Sequence, residues 1–464
     1  GVTALDATAS PKSVAGDVAE NVFLSYFGQL NYNYFNRYYL TASLRGDASS
    51  RFGANNRWAT FGSIAGSWRI ANEDFFDISW IKGLKLKGSY GVTGNANIPN
   101  YLSLGTYSFS TGATYNEMSG ALPARIPNPN LTWETAHTTN IGIELTTNPV
   151  KLELDLYNRI NKNLLQNVPL SSLTGFTSQR RNIGEVRNRG IDFNLTTTNI
   201  DRGNWRWETR LNLNFNRNEV LTLYEGTDVD WGNFRISEGQ PMKYFYMKKW
   251  AGVDKQTGKP LWIRWENDNG ELIHGADHQD PANVVETSDY NRASNLFIEP
   301  GYPDITGGLI NNVSYKNFSF NITTYYNLGQ KIYFGQRRFI DDDGMVLSKN
   351  QMVPKDDWIR WEEPGDDATH PELLLGGNSN AALPSSRWLE NGSFLRIQNV
   401  TLSYRFPNVL SGMTVQIIGN NLYTFSGYSG MNPDVNVQSP TRGQGDPNKY
   451  ASPRKLMLGI ELDF

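Results

Sequence analysis

The sequence predicts an all-β protein, a transmembrane antiparallel β-barrel, and three observations support this prediction. Segments in which apolar and polar residues alternate recur from about residue 20 to the end of the chain, as in strands with one apolar and one polar face. The links between them alternate between short and long, like the periplasmic turns and outer loops of outer-membrane barrels. Aromatic residues cluster near the ends of the apolar faces, where an interfacial girdle would lie. A soluble β-sandwich does not require this alternation in loop length.

The composition limits the class of protein. The chain has 464 residues, of which 39% are hydrophobic and 12% aromatic, and its mean hydropathy is −0.50. No run approaches the ~18 apolar residues of a membrane helix, but a barrel needs none because only alternate residues face lipid. A net charge of −3 gives no basis for nucleic-acid binding. The absence of cysteine excludes disulfides, thiolate metal sites and cysteine nucleophiles.

The first residues predict no strand. Residues 1–19 are small and polar, as expected of a loop or linker, and they lack the basic and apolar regions of a signal peptide. We therefore expect either that a signal peptide has been removed or that the chain is the C-terminal part of a longer protein. Residues 20–464 are expected to form transmembrane barrel throughout, because no break in composition divides them.

About 13 or 14 transmembrane strands follow in order, with an error of two because residues 218–303 could add a pair. The predicted strands are Asn21–Tyr34, Tyr38–Ala48, Arg57–Ile70, Leu84–Val92, Leu131–Leu145, Val150–Tyr157, Gly190–Thr198, Trp205–Asn216, Ile305–Ser314, Phe318–Tyr326, Phe394–Tyr404, Thr414–Tyr423 and Lys455–Phe464. Weaker signals lie near Tyr244–Trp250 and Leu261–Trp265. The expected long extracellular loops span about 93–130, 160–186, 218–303, 330–388 and 425–453.

The last predicted strand, Lys455–Phe464, alternates up to the final residue. Its apolar face carries Leu456, Leu458, Ile460, Leu462 and Phe464. Bacterial barrels formed by one chain have even strand numbers, and an open sheet edge is not tolerated in lipid. The chain could therefore close a barrel of about 14 strands by itself. The interpretation that we favour is a larger barrel whose first strands precede residue 1.

Eight stretches, in the right order along the chain, resemble SusC/RagA-type TonB-dependent transporters of Bacteroidetes. They are Leu44–Gly53 with Asn55–Trp58, Ser67–Ile70, Leu84–Asn95, Trp133–Thr135 with Asn140–Ile143, Asn182–Ile191, Tyr302–Gly308, Ser385–Glu390 with Phe394–Leu402, and Gly419–Phe425. The resemblance covers nearly the whole chain from about residue 20. Each stretch alone is a weak signal, and their order makes the set specific.

The resemblance implies a barrel of about 22 strands, an N-terminal plug, a TonB-interacting segment and a SusD-like surface lipoprotein that covers the outer loops. The plug and the TonB-interacting segment are expected to lie outside this chain. The implied function is active import of a glycan or an oligopeptide across the outer membrane. The resemblance also implies that the transporter–lipoprotein pair forms a homodimer. It further implies contact with outer-membrane lipid and a periplasmic C-terminus. Gly459, Leu462 and Phe464 match the pattern by which barrel-assembly machinery recognises a last strand.

Two other function classes stay open at this point. One is a passive porin of about 14 strands. The other is a barrel that serves as a structural or secretion-associated anchor in the outer membrane. The mature N-terminus of the native polypeptide would separate the first from a transporter fragment, and loss of uptake of a defined nutrient on deletion would count against the second.

Aromatic residues in the expected outer loops are the candidate ligand-binding residues, because indole rings stack on sugar rings and clamp peptides. These candidates are Trp231, Trp262, Trp265, Trp358 and Trp361. For any one of them, packing within the loops or against a partner is the simpler interpretation.

No catalytic set of residues is found, so we expect neither an enzyme nor a cofactor. His274 and His278, with Asp277 and Asp280, have a metal-like spacing, but Gly275 and Pro281 argue against a helix that would align them. Asp341–Gly344 and Glu266–Gly270 resemble parts of calcium loops without the full ligand spacing. Solvated loops and turns are therefore favoured over metal sites. Arg45, Asp47 and Arg51 predict an ion-pair network along the lumen.

Overall fold

The computed structural model describes residues 18–115, 118–266, 271–273, 284–346, 348, 350–351, 356–409, 412–434 and 452–463. Within these ranges the strands are β1 (Phe23–Tyr34), β2 (Tyr38–Ser49), β3 (Trp58–Arg69), β4 (Ile81–Asn95), β5 (Thr106–Tyr115), β6 (Met118–Arg125), β7 (Glu134–Thr147), β8 (Val150–Pro169), β9 (Ser178–Arg202), β10 (Trp205–Thr222), β11 (Val229–Trp231), β12 (Phe234–Ile236), β13 (Tyr244–Lys248), β14 (Trp250–Val253), β15 (Pro260–Glu266), β16 (Leu272–Ile273), β17 (Val284–Thr287), β18 (Asn295–Pro300), β19 (Ile305–Tyr315), β20 (Phe318–Leu328), β21 (Lys331–Tyr333), β22 (Leu389–Asn391), β23 (Phe394–Phe406), β24 (Gly412–Ser426) and β25 (Lys455–Asp463). One short helix, α1, spans Arg337–Ile340. No helix in the described ranges has the length and apolar character that spanning a membrane requires.

The largest sheet has thirteen strands in the order β1-β2-β3-β4-β7-β8-β9-β10-β19-β20-β23-β24-β25. Each of the thirteen predicted strands corresponds to one of them, so the sequence-based strand count is confirmed. The strands follow one another in chain order, as in a meander of antiparallel hairpins. This order arises because each short link joins two neighbouring strands, such as β19 and β20 through Tyr315 and Phe318.

The chain forms two compact units. The first contains residues 1–144, 155–189 and 221–226, and the second contains 145–154, 190–220 and 227–464. In the first unit, β1 to β4 pair in antiparallel register, with Tyr34 opposite Tyr38 at the first turn. In the second unit, β10, β19, β20, β23, β24 and β25 pair in the same manner.

Many apolar side chains on the long strands are exposed rather than buried. In β25 the exposed fractions are 78% for Leu456, 70% for Leu458 and 62% for Ile460. In contrast, the two hydrophobic clusters draw heavily on residues between the long strands. One contains Phe52, Phe61, Ile98, Leu102, Leu131 and Trp133, and the other contains Phe234, Phe245, Met247, Tyr333 and Trp388. This inversion is what an apolar solvent around the strands requires, because lipid can cover a face that no part of the chain covers.

The segments predicted as long loops contain more regular structure than the sequence indicates. The predicted loop 160–186 is wrong in its extent, because β8 continues to Pro169 and β9 begins at Ser178. Gly175, with a φ of 76°, ends the short turn between them. Polar residues dominate this part of the hairpin, so the apolar alternation used for prediction is weak there.

Small sheets occupy the other long segments. Strands β5 and β6 pair with each other, and strands β11 to β18 form two four-stranded sheets. The weak signals near Tyr244–Trp250 and Leu261–Trp265 are therefore real strands, but they belong to these loop sheets and not to the large sheet.

Candidate functional site

Two loop sheets of the second unit carry three of the predicted tryptophans. Trp231 ends β11 and pairs with Phe234 across a tight hairpin, with ring centres 6.2 Å apart. Its indole is partly buried against the cluster that contains Phe234 and Phe245. The Trp265 backbone N–H, on β15, donates to the Ser294 hydroxyl at 2.9 Å, and its side chain is partly buried. Both residues are only partly buried.

Trp262 is fully buried. Its exposed fraction is 0%, and it packs edge-on against Trp250 at 5.6 Å and Tyr290 at 5.3 Å. The Tyr290 hydroxyl in turn donates to the Pro384 carbonyl oxygen at 2.7 Å, which joins the β15 sheet to the segment before β22. In this conformation Trp262 supports the loop sheet and reaches no ligand.

Trp358 and Trp361 flank a charged cluster. The Trp358 ring lies under the Arg337 guanidinium, whose central carbon is 3.9 Å from the ring centre. The centres of the Trp358 and His370 rings are 4.9 Å apart. The Trp361 indole N–H donates to the Lys255 carbonyl oxygen at 3.0 Å. Both indoles are partly buried, so their exposed edges are what a ligand could contact.

Arginine and tryptophan side chains alternate beside this cluster. Arg337 lies between Trp358 and Trp388, with 5.6 Å from its guanidinium carbon to the Trp388 ring centre. Arg387 lies 4.5 Å from the Trp388 ring and 4.9 Å from the Trp250 ring. Cation–π contacts of this kind favour arginine when it is partly desolvated. The five side chains connect segments that are distant in sequence.

Buried carboxylates balance the arginines. Asp343, with a fully buried side chain, accepts hydrogen bonds from Arg360 at 2.9 Å and from Arg387. Arg337 pairs with Asp341 at 3.1 Å and with Glu390 at 3.2 Å. This network holds the loops together through charge-assisted hydrogen bonds.

Asp341 completes the network through His370. The His370 Nε2–H donates to the Asp341 carboxylate at 3.2 Å, and both side chains are buried. Burial raises the pKa of the Asp341 carboxyl, but the hydrogen bond from His370 and the adjacent arginine charges outweigh burial and lower the pKa to about 2.

The Asp341–Gly344 segment forms a turn, as the sequence favoured. The Asp342 carboxylate accepts backbone hydrogen bonds from Gly344 at 3.1 Å, Met345 at 3.1 Å and Val346 at 2.9 Å. These donors occupy the oxygens that a calcium ion would need. Among the described side chains, no group of three or more acidic or histidine residues is arranged to hold a metal ion. His274, His278, Asp277, Asp280 and residues 267–270 lie outside the described residues.

The polar face of the long strands carries ion pairs. Lys87 on β4 contacts Glu144 at 3.4 Å and Asp155 at 3.0 Å. Arg45 pairs with Asp47 at 2.6 Å, as predicted from the sequence. Arg51 does not join that pair, because its guanidinium donates to the Asn100 side chain and the Ala96 carbonyl oxygen.

The predicted closing strand pairs with β24. Gly459 lies opposite Gln416, and a Cβ at this glycine would be 2.8 Å from Gln416 Cγ. Leu462 lies opposite Met413 and is 41% exposed. Phe464 lies outside the described residues.

Comparison with known proteins identifies the family. Residues 3–328 match the family model described as "TonB dependent receptor-like, beta-barrel". The chain belongs to this family. TonB-dependent receptor P39 of Formosa agariphila is 29% identical, over 97% of this chain and 47% of its own length. TonB-dependent receptor SusC of Bacteroides thetaiotaomicron is 28% identical, over 96% of this chain and 44% of its own length.

A solved structure agrees with the family assignment. The structure of the RagAB peptide transporter matches 98% of this chain and 49% of its own chain, at 30% identity and a TM-score of 0.81. The SusC/RagA resemblance seen in the sequence is thereby confirmed, and this TonB-dependent receptor chain is an outer-membrane β-barrel protein. The chain spans about half the length of the curated relatives it matches.

Sequence reasoning missed the charged network of this receptor chain. It did not single out Arg360, Arg387 or His370. Their partners are far apart in sequence: 29 residues separate Asp341 from His370, and 44 separate Asp343 from Arg387. Three consecutive aspartates followed by glycine were the only local signal.

Proposed function

We propose that this chain is the barrel part of a TonB-dependent importer that takes up a glycan or an oligopeptide. The observation that carries the proposal is the match to the RagAB peptide transporter over 98% of the chain. A substrate of this size cannot diffuse through a porin, so its uptake requires energy delivered through TonB to a plug. The chain performs no bond chemistry in this proposal.

The two faces of the long strands have separate roles. The exposed apolar face, typified by Leu456 and Leu458, contacts outer-membrane lipid. The opposite face, with ion pairs such as Lys87–Asp155, lines a water-filled path. Placing the short links in the periplasm puts the C-terminus there as well and directs the loop sheets outward.

The loop sheets provide the outer binding surface. The partly exposed rings of Trp231, Trp265, Trp358 and Trp361 are proposed to stack on sugar rings or on peptide side chains. Trp262 is proposed to act indirectly by keeping the β15 sheet rigid. A SusD-like surface lipoprotein would cover this surface, and two transporter–lipoprotein pairs would form a dimer.

Gly459, Leu462 and Phe464 are proposed to form the assembly signal of the last strand. The contact between Gly459 and the Gln416 side chain supports a close fit at this position. Replacement of Phe464 by Ala should lower the amount of folded protein in the outer membrane without changing the affinity of the protein that does assemble. Unchanged assembly would contradict this role.

Uptake in the native bacterium tests the import function. A strain that lacks the full gene is expected to lose growth on one defined glycan or on oligopeptides as sole carbon source, and to regain it on complementation. Removal of TonB in the wild-type strain should abolish the same uptake.

The two alternatives predict different results. A passive porin would still admit its solutes without TonB. A structural or secretion-associated anchor would leave growth on every glycan and peptide unchanged while altering the envelope. Either result would contradict the proposed import.

A further inference from the structure

A cavity of about 410 Å³ lies in the first unit, at the end of the strands opposite their short links. Its wall is formed by segments 50–57, 100–104 and 127–129 together with Glu20. This volume falls within the ~300–1,000 Å³ typical of small-molecule sites. All of its lining residues belong to the first unit, whereas the predicted tryptophans belong to the second.

The cavity wall is firmly built. Phe52 is 1% exposed, and its carbonyl oxygen accepts a hydrogen bond from the Ser103 hydroxyl at 3.3 Å. The Asn55 backbone N–H donates to the Pro129 carbonyl oxygen at 3.1 Å. Gly53 packs so closely on Pro129 that a Cβ would lie 2.1 Å from its carbonyl oxygen. The cavity is therefore a fixed feature of this loop cluster.

Tyr101 at the rim has an unusual backbone. Its φ of 60° lies in the left-handed region, which a bulky residue rarely adopts. Its hydroxyl accepts a hydrogen bond from the Glu20 backbone N–H at 2.8 Å, so the hydroxyl hydrogen stays available to a ligand. Strain of this kind is maintained where the surrounding structure fixes it, often at a binding site.

Two guanidinium groups face the cavity, and neither has a carboxylate partner among the described residues. Arg51 donates to the Asn100 side chain and the Ala96 carbonyl oxygen, which are both neutral. The Arg57 side chain makes no hydrogen bond or ion pair with any described residue, although its backbone carbonyl is bonded to Ser49 and Trp133. The lining side chains include two arginines and one carboxylate, that of Glu20, so their net charge is +1.

We infer that this cavity binds one carboxylate-bearing unit of the imported molecule, either a uronic acid residue of a glycan or an acidic residue of a peptide. A guanidinium pairs with a carboxylate through two parallel hydrogen bonds. A single positive charge matches one carboxylate better than a dianionic phosphate. Tyr101, Leu104 and Pro127 offer apolar surface to a ring or a side chain. Naming an imported molecule as the ligand rests on the proposed function, whereas the charge preference of the cavity does not.

Binding to the purified full-length protein in detergent tests the inference. Two probe pairs differ only in charge: an oligogalacturonate with its methyl ester, and an aspartate-containing hexapeptide with its asparagine counterpart. In one of the two pairs, the acidic probe should bind at least roughly tenfold more tightly than its neutral counterpart, as expected for hydrogen bonds to a charged group. The pair that shows the preference identifies the ligand as glycan or peptide.

Variants assign the preference to the cavity. Arg57→Gln should abolish it, and Arg57→Lys should keep part of it because the charge stays but the planar pair of donors is lost. Arg202→Gln removes an equal charge from an exposed position near a short link and should change nothing. Heat-dependent migration on a denaturing gel would verify that every variant is folded.

Two outcomes overturn the inference: no charge preference in the wild-type protein for either probe pair, or a preference that survives in Arg57→Gln. Unchanged uptake in cells that lack the gene, together with an intact charge preference of the purified protein, would refute import but leave the cavity assignment in place.

Discussion

Tyr326 lies over Gly307, its pairing partner in the neighbouring strand, and its hydroxyl donates to the Asn212 carbonyl oxygen at 2.7 Å. A Cβ at Gly307 would be 2.1 Å from that carbonyl oxygen and 2.5 Å from the Tyr326 hydroxyl oxygen. Glycine inside a strand often marks such a close approach. The phenol ring thus occupies the place that a side chain at position 307 would need, and it ties β10, β19 and β20 together.

Gly307→Ala should therefore destabilise the full-length protein, by about 1–3 kcal/mol if the strands shift to accommodate the methyl group. Gly28→Ala is the matched control, because a Cβ there would meet no atom within 4 Å. Urea unfolding in lipid vesicles measures both. Equal stability of the two variants would show that Tyr326 does not close over the glycine.

The lipid-facing side of the last strand can be tested with two neighbouring positions. Leu458 and Met457 lie on opposite faces of β25 and are 70% and 41% exposed. Leu458→Arg should cost roughly 2–4 kcal/mol of folding free energy if its face lies near the bilayer midplane. Met457→Arg should be tolerated, because its face would line the water-filled path. The same vesicle unfolding experiment compares them, and a larger penalty at Met457 would reverse the assignment of the faces.

Asp343 is expected to hold the loop network of the second unit. Asp343→Asn leaves Arg360 and Arg387 without their buried counter-ion, which costs about 3–5 kcal/mol when one partner of a buried pair is removed. Faster cleavage of residues 330–392 by a protease added to intact cells would report the loss. Asp367→Asn is the control, since Asp367 is exposed and pairs with Lys255 at the surface. Identical cleavage rates would remove Asp343 from this role.

The Asp341 carboxylate, which pairs with Arg337 and His370, should stabilise the same loops until the pH falls below about 4. The pKa of Asp341 in the folded protein is lowered to about 2, below the ~3.9 of an unperturbed aspartate. A depressed folded-state pKa gives stability that is complete above the unfolded value and is lost as the pH falls through the folded value. Loop protection should be constant from about pH 7 to 5 and should fall between about pH 4 and 2.

Asp341→Asn should remove that acid transition and lower protection at neutral pH. Hydrogen exchange of residues 330–392, measured across the pH range and corrected for the intrinsic rate, separates the two proteins. A wild-type transition centred above pH 5 would show that Asp341 is not its source.

Strand prediction succeeded where the solvent imposed a pattern. In β25, alternation between lipid and water selects apolar residues at every second position, and the register with β24 follows from it. It failed at the outer part of the β8–β9 hairpin, between Arg159 and Arg187, because polar residues there leave no clear alternation.

The tryptophans show the same division. The sequence marked Trp262 and Trp358 equally, as aromatic residues of presumed outer loops. In the structure Trp262 is fully buried between Trp250 and Tyr290, whereas Trp358 is only partly buried beside Arg337. The burial of a loop residue depends on which segments pack against it. Loop sequences lack the hydrophobic periodicity from which such packing could be predicted.

The sequence by itself determined the all-β class, the thirteen long strands and the family resemblance, because period-two alternation and ordered motifs are local properties of the chain. Only the tertiary structure decided which loop residues form a charged network, that Tyr326 covers Gly307, and that Arg57 lines a cavity of the first unit. Those contacts join residues tens of positions apart. The interaction energies of these contacts come from desolvation and close packing, which arise only when the segments are folded against each other.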